Sequence, residues 1–126
     1  MRVVVAGGAG LIGASMCTRL VERGDDVVCL DNLVTGSADN LKGLVGRERF
    51  RFVEADITGG NGEPGWPADA FGRGLDAVVN LACPASPADF GPLSLEILDT
   101  GSRGVANLLD LARRHGARYL QASTSE

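Results

Sequence analysis

At 126 residues the chain has the length of one domain, and 44% hydrophobic residues with only 5% aromatics point to an aliphatic core of Val, Leu, Ile and Ala. A net charge of −4 and scattered arginines argue against a nucleic-acid surface, and no run reaches the ~18 apolar residues of a membrane span. Cys17, Cys29 and Cys83 lack C-x-x-C spacing and read as small buried apolar residues in a reducing compartment; with no signal-peptide pattern, the expected location is cytoplasmic.

Arg2 to Ala6 carries the apolar run Val3-Val4-Val5 and stops at Gly7-Gly8, the pattern of a strand covered on both faces. Leu11 to Arg23 places Leu11, Ile12, Ser15, Met16, Arg19 and Leu20 at helical spacing, and Gly24 supplies the stop. Asp26 to Leu30 reads as a second strand, Asn32 to Ser37 as a loop, Ala38 to Leu44 as a short helix and Phe50 to Glu54 as a third strand. Residues 59–74 hold six glycines and two prolines and read as a surface loop with one helical turn near Ala68 to Phe71, where Trp66 anchors the loop on the sheet. Leu75 to Leu81 is a fourth strand, and Pro84 and Pro87 mark a loop. Leu93 to His115, closed by Gly116, is the longest helical pattern, and Ala117 to Ala122 is a fifth strand. Strands alternating with helices predict a three-layer α/β/α, Rossmann-like parallel sheet of about five strands flanked by helices.

Gly7-Gly8-Ala9-Gly10-Leu11-Ile12-Gly13 is a G-x-x-G-x-x-G sequence between the first strand and the first helix. Gly7 permits the tight turn, Gly10 lets a pyrophosphate approach bare backbone, and Gly13 lets the helix pack closely on the sheet. The N–H groups at the helix start, Leu11 and Ile12 among them, then face the phosphates with the helix dipole behind them. Asp31 ends the second strand where a dinucleotide fingerprint places an acid to accept hydrogen bonds from a ribose 2′-OH. That carboxylate would repel a 2′-phosphate and no arginine follows in Asn32 to Ser37, so NAD is favoured over NADP. Asp56, after the third strand, falls at the same carboxyl edge and suits an adenine amino group.

The G-x-x-G-x-x-G spacing resembles that of extended short-chain dehydrogenases/reductases, the NAD-dependent epimerases and dehydratases. Asp31-Asn32-Leu33-Val34-Thr35-Gly36 is similar to their D-N-L-x-T-G, shared by many nucleotide-sugar enzymes. Asn80-Leu81-Ala82-Cys83-Pro84-Ala85-Ser86-Pro87 and Ala122-Ser123-Thr124-Ser125-Glu126 resemble the N-L-A-C-P-A-S-P and A-S-T-S-E of UDP-glucuronate decarboxylases. The resemblance implies a carboxy-lyase that uses NAD without net redox change. Oxidation of the sugar at C4 turns the C5 carboxylate into a β-keto acid, CO₂ leaves, and the ketone is reduced again. It also implies the site residues. Gly7, Gly10 and Gly13 hold the pyrophosphate, Asp31 with Asn32 the adenosine ribose, and Asp56 and Ile57 the adenine. Leu81, Ala82 and Pro84 line the nicotinamide side. Thr124 holds the C4 oxygen, and Glu126 lies near the decarboxylating carbon. The substrate implied is UDP-glucuronate. A 4-epimerase or 4,6-dehydratase of the same superfamily, or a dinucleotide-binding module without catalysis, are the alternative readings.

The family's Tyr-x-x-x-Lys pair has no counterpart: the only tyrosine, Tyr119, falls in a predicted strand, and the only lysine is Lys42. The expectation is therefore an N-terminal NAD-binding portion, truncated after the fifth strand, that turns over nothing alone. Ala6, Asp89-Phe90 and Gly101 stand where the family usually has Thr, His-Tyr and Asn. The helix Leu93 to His115 is apolar on more than one face and matches the helix through which that family forms homodimers, although a helix that simply covers the sheet has the same pattern. His115 and the Arg113, Arg114, Arg118 cluster read as a solvated helix end, not a metal or catalytic site.

Overall fold

In a computed structural model that describes residues 1–60, 63, 65–72 and 74–123, five parallel strands form one sheet in the order 3-2-1-4-5. They are β1 (Arg2–Ala6), β2 (Asp26–Asp31), β3 (Phe50–Glu54), β4 (Ala77–Asn80) and β5 (Arg118–Gln121). Alternate side chains of β1 feed two separate cores, as a sheet buried on both faces requires. Val3 and Val5 join Val27, Cys29 and Val79 beneath Ala14 and Cys17 of helix α1 (Leu11–Glu22). Val4 and Ala6 join Val28, Leu30 and Val78 beneath Leu108, Leu111 and Ala112 of helix α3 (Val105–His115). One helix on each face makes the three layers expected from the alternation.

The departures from the predicted elements have local causes. The stretch 38–44 is a single 3-10 turn, Ala38–Leu41, instead of a helix to Leu44. Ser37 caps it by accepting from the Asp39 N–H at 3.3 Å, and Gly46, at φ +86°, adopts a conformation no helix contains. The pattern 93–115 is one helical run in three parts: α2 (Ser94–Asp99), a π turn (Thr100–Gly104) and α3. The π turn falls where Gly101 and Gly104 weaken the α-helix. Gly104 has a packing reason as well, since a Cβ there would come within 2.6 Å of the Ile57 Cδ1. The fourth strand is Ala77–Asn80, shorter than Leu75 to Leu81, although backbone hydrogen bonds from the Asp76 N–H to Arg2 and from the Leu81 N–H to Ala6 (both 2.9 Å) extend its pairing at either end. Trp66 packs on the α3-side core and stacks edge-on against Phe71, with ring centroids 5.6 Å apart. Cys17 and Cys29 are buried, but Cys83 is exposed, since the loop after β4 runs over the sheet edge and not into the core. Among the described residues no helix is long and apolar enough to cross a membrane.

Candidate functional site

β1 is the central strand, with β2 on one side and β4 on the other, so the chain reverses its direction of winding there. In open parallel sheets the crevice at the carboxyl ends beside such a reversal receives ligands. A cavity of about 160 Å³ lies there. Its floor includes Gly7 and Gly10; one wall holds Asp31, Asn32 and Val34 to Gly36, and another Ala55 to Thr58. Leu81 to Pro84 close the far side with Glu96, Asp99 and Thr100 from the α2 run.

The glycine turn is fixed by close approaches. Gly7 has φ +75°, and a Cβ there would stand 2.7 Å from the Leu81 and Ala82 backbone, so the turn sits directly against the loop after β4. A Cβ at Gly13 would collide with the Gly7 carbonyl oxygen. Gly13 therefore packs the start of α1 directly onto the turn. Gly8, which had no assigned role, lies on the Cys29 Sγ and leaves no room for a side chain. The neighbouring Cys17 thiol and then burial push the Cys29 thiol well above its usual range, so it behaves as an apolar floor.

Gly10 differs: a Cβ there would meet only the Gly7 oxygen, at 3.3 Å, with open cavity beyond. It is the N-cap of α1, no side chain caps that helix, and no acid lies in its first turn. The Gly10 N–H donates to Gly7 (3.2 Å), and the first helical bond runs from Ala14 to Gly10 (2.9 Å). The intervening N–H groups of Leu11, Ile12 and Gly13 thus belong to an uncapped helix start, where an anion is favoured. The side chains of Leu11 and Ile12 are exposed, so what these residues can offer a ligand is backbone. The open backbone at Gly10 and the uncapped helix start are the features that suit a diphosphate.

Asp31, only 8% exposed, accepts from the Ala9 N–H (2.9 Å) through Oδ2 and from the Leu33 N–H (2.8 Å) through Oδ1. It is a strut of the glycine turn and also a wall of the cavity, and each oxygen keeps a second lone pair for a ligand. The Ala9 carbonyl accepts from the Ser37 N–H (3.1 Å) and the Asn40 Nδ2 (2.8 Å), so that residue is held at its N–H by the tip of β2 and at its carbonyl by the segment after it. Leu33 adopts φ +59°, a conformation that costs roughly 1–3 kcal/mol outside glycine and that the Asp31 bond helps to hold. Gly36, the last residue of the D-N-L-x-T-G stretch, rests on Ala9. Asn40 was not identified from sequence, since nothing in local spacing marks it.

Asn32 donates from Nδ2 to Asp56 (3.0 Å), and Asp56 also accepts from the Thr58 N–H (2.8 Å) and hydroxyl (2.7 Å). Burial pushes the Asp56 carboxyl up, but these donors together hold it below its usual range. Ile57 is buried, and Asn107 of α3 donates to the carbonyls of Ile57 (2.8 Å) and Thr58 (3.2 Å), a clamp also missed from sequence. The structure thus brings together Gly7, Gly10, Asp31, Asn32, Asp56, Ile57, Leu81, Ala82 and Pro84 around one cavity. Thr124 and Glu126 lie outside the described residues.

A parallel sheet of this order, with a bare glycine turn, an uncapped helix start and an acid at the next strand tip, defines a dinucleotide-binding Rossmann-type domain. The sequence model of the NAD dependent epimerase/dehydratase family matches residues 3–126, and the chain belongs to that family. It is 38% identical over 126 residues to UDP-glucuronic acid decarboxylase 1 of Arabidopsis thaliana, aligning 100% of this chain with 27% of that one. Among solved structures it superposes on a UDP-galactose 4-epimerase (TM-score 0.75, 28% identity, 99% of this chain, 39% of that one). It also superposes on UDP-glucose 4-epimerase from Stenotrophomonas maltophila, solved with bound NAD and formylated UDP-arabinopyranose (TM-score 0.76, 26% identity, 99% and 37%). The chain therefore spans well under half the length of these relatives.

Proposed function

We propose that the chain is the NAD-binding part of an enzyme acting on a nucleotide sugar, and that the sugar is UDP-glucuronate. The observation that carries the reading is the open face of Gly10 at the uncapped start of α1, in one cavity with the Asp31 carboxylate. In this reading the N–H groups of Leu11, Ile12 and Gly13 hold the diphosphate, with Gly7 and Gly10 giving it room. Asp31 and Asn32 take the adenosine ribose, Asp56 and Ile57 the adenine, and Leu81, Ala82 and Pro84 the nicotinamide. When bound, NAD supplies the acceptor, and later the donor, of the hydride at C4 of the sugar. Thr124 holds the C4 oxygen, and Glu126 stands near the carbon that loses CO₂. The 38% identity to a UDP-glucuronic acid decarboxylase supports this reaction. A 4-epimerase is the second reading, favoured by the superposed epimerases.

Homodimerisation through residues 93–115 belongs to the same proposal, because Leu95, Leu98 and Leu109 leave an apolar stripe exposed there. So does a cytoplasmic location. Two measurements test the reading. NAD⁺ should protect this chain against thermal unfolding more than NADP⁺ does; equal or better protection by NADP⁺ removes Asp31 from its role. A protein in which this chain is joined to the remaining length of its decarboxylase relatives should release CO₂ from UDP-glucuronate. Epimerisation of UDP-glucose without that release favours the second reading.

A further inference from the structure

Asn80 is fully buried at the tip of β4, directly across from Gln121 on β5, with Tyr119 two residues behind on the same face. The three polar side chains close a ring. The Tyr119 hydroxyl donates to Gln121 Oε1 (2.6 Å), Asn80 Nδ2 donates to the same oxygen (2.9 Å), and its second hydrogen faces the Tyr119 oxygen (3.3 Å). The two lone pairs of Gln121 Oε1 are thereby both used. Asn80 Oδ1 accepts from the Ala82 N–H (3.0 Å), inside the loop that packs on Gly7 and lines the cavity. Gln121 Nε2 turns back to the Ala122 carbonyl (2.8 Å), and the Ala122 N–H donates to the Asn80 carbonyl (2.9 Å). Every polar atom of Asn80 has a partner, and the partners lie on two different segments of the carboxyl edge. Such a ring transmits position, because moving any member breaks bonds on both segments.

Resting on the proposed dinucleotide site, we propose that Tyr119 and Gln121 are positioning residues that act through Asn80 to fix the Leu81 to Pro84 loop against the nicotinamide half of the cofactor. Tyr119 is thereby assigned a donor's role and not a base's. Burial pushes its phenol above the usual value, against the Asn80 hydrogen bond. The residues assigned to the adenosine end, Asp31, Asn32, Asp56 and Ile57, lie at and after the tips of β2 and β3, and none of them belongs to this ring.

The test is calorimetric titration of the full chain with NAD⁺ and, separately, with ADP-ribose, which has the same adenosine and diphosphate but no nicotinamide. Gln121 is exposed, so Gln121→Leu should leave folding intact while removing the shared acceptor. The expected result is a five- to tenfold loss of NAD⁺ affinity with ADP-ribose affinity unchanged within twofold. Gln121→Glu, which restores an oxygen between the two donors, should bring NAD⁺ affinity back, and Tyr119→Phe should fall in between. An unchanged ratio of the two affinities in Gln121→Leu, or equal loss of both, overturns the positioning role. Failure of the unaltered chain to bind either ligand overturns the dinucleotide reading on which it rests.

Discussion

Replacing Asp31 by Asn separates the two jobs given to that carboxylate. The change is nearly isosteric, so packing is preserved, but one of the two oxygens becomes an NH₂ group. Either the Ala9 N–H, now accepted at 2.9 Å, or the Leu33 N–H, at 2.8 Å, must then face a donor. A hydrogen bond to a charged group contributes about 1.5–3 kcal/mol, and a buried amide stranded without an acceptor costs a similar amount. With Asp31 only 8% exposed, a loss near ~2 kcal/mol is expected, or roughly 8 °C in melting temperature for a domain of this size. NAD⁺ affinity should fall further than this pre-organisation term alone predicts, by about 30-fold or more, because the ribose also loses a charged acceptor. Urea denaturation and NAD⁺ titration of the same variant measure the two effects separately. A variant that melts within a degree of the parent refutes the strut. A variant that binds NAD⁺ and NADP⁺ as the parent does refutes the ribose contact.

The glycine turn makes a paired prediction. Gly13→Ala should cost about 1–3 kcal/mol in urea denaturation, because the new methyl meets the Gly7 carbonyl, and a parent-like midpoint would contradict that packing. Gly10→Val should leave the fold standing but abolish NAD⁺ binding, since its side chain enters the cavity; unchanged affinity would clear the turn of any ligand role. At acid pH, Asp25 should matter most. It is buried, and its carboxyl is held below the usual range by the N-terminal ammonium and then by Arg23, against burial that pushes it up. A depressed folded value means stability present above the unfolded value near ~3.9 and lost as pH falls toward the folded one. Asp25→Asn should therefore flatten the fall in stability below about pH 4, and an unaltered slope would assign acid unfolding to other groups. Leu95→Glu with Leu98→Glu should convert any dimer to monomer in sedimentation without lowering the melting temperature; a persistent dimer would place the interface elsewhere.

What could be read from the sequence was what glycine and strand burial force locally. Val3-Val4-Val5 ending in Gly7-Gly8 admits few structures, and Asp31 and Asp56 follow from where neighbouring strands must end. The groups that lock this frame were not legible, because they act across long sequence separations. Asn40 reaches back to Ala9, and Asn107 reaches Ile57 and Thr58 from another layer. Neither residue has a neighbour in sequence that marks it as anything but a polar surface position. Cys83 was misread for the same reason: composition makes a free cysteine a core residue, and only the path of the loop after β4 leaves it outside.

The π turn between α2 and α3 carries a consequence for how the cavity was assembled. A π turn holds one residue more than an α turn, and each residue of an α-helix rotates the chain by about 100°. The upstream segment is thus turned relative to the downstream one, which is how Leu108 and Leu111 point into the core while Glu96, Asp99 and Thr100 border the ligand space. Removing a single residue from Thr100–Gly104 would restore a regular helix and swing that acidic border away, leaving the sheet untouched. One side of the crevice is set by a residue count, so length variation at this point could retune what the crevice admits without disturbing the frame beneath it.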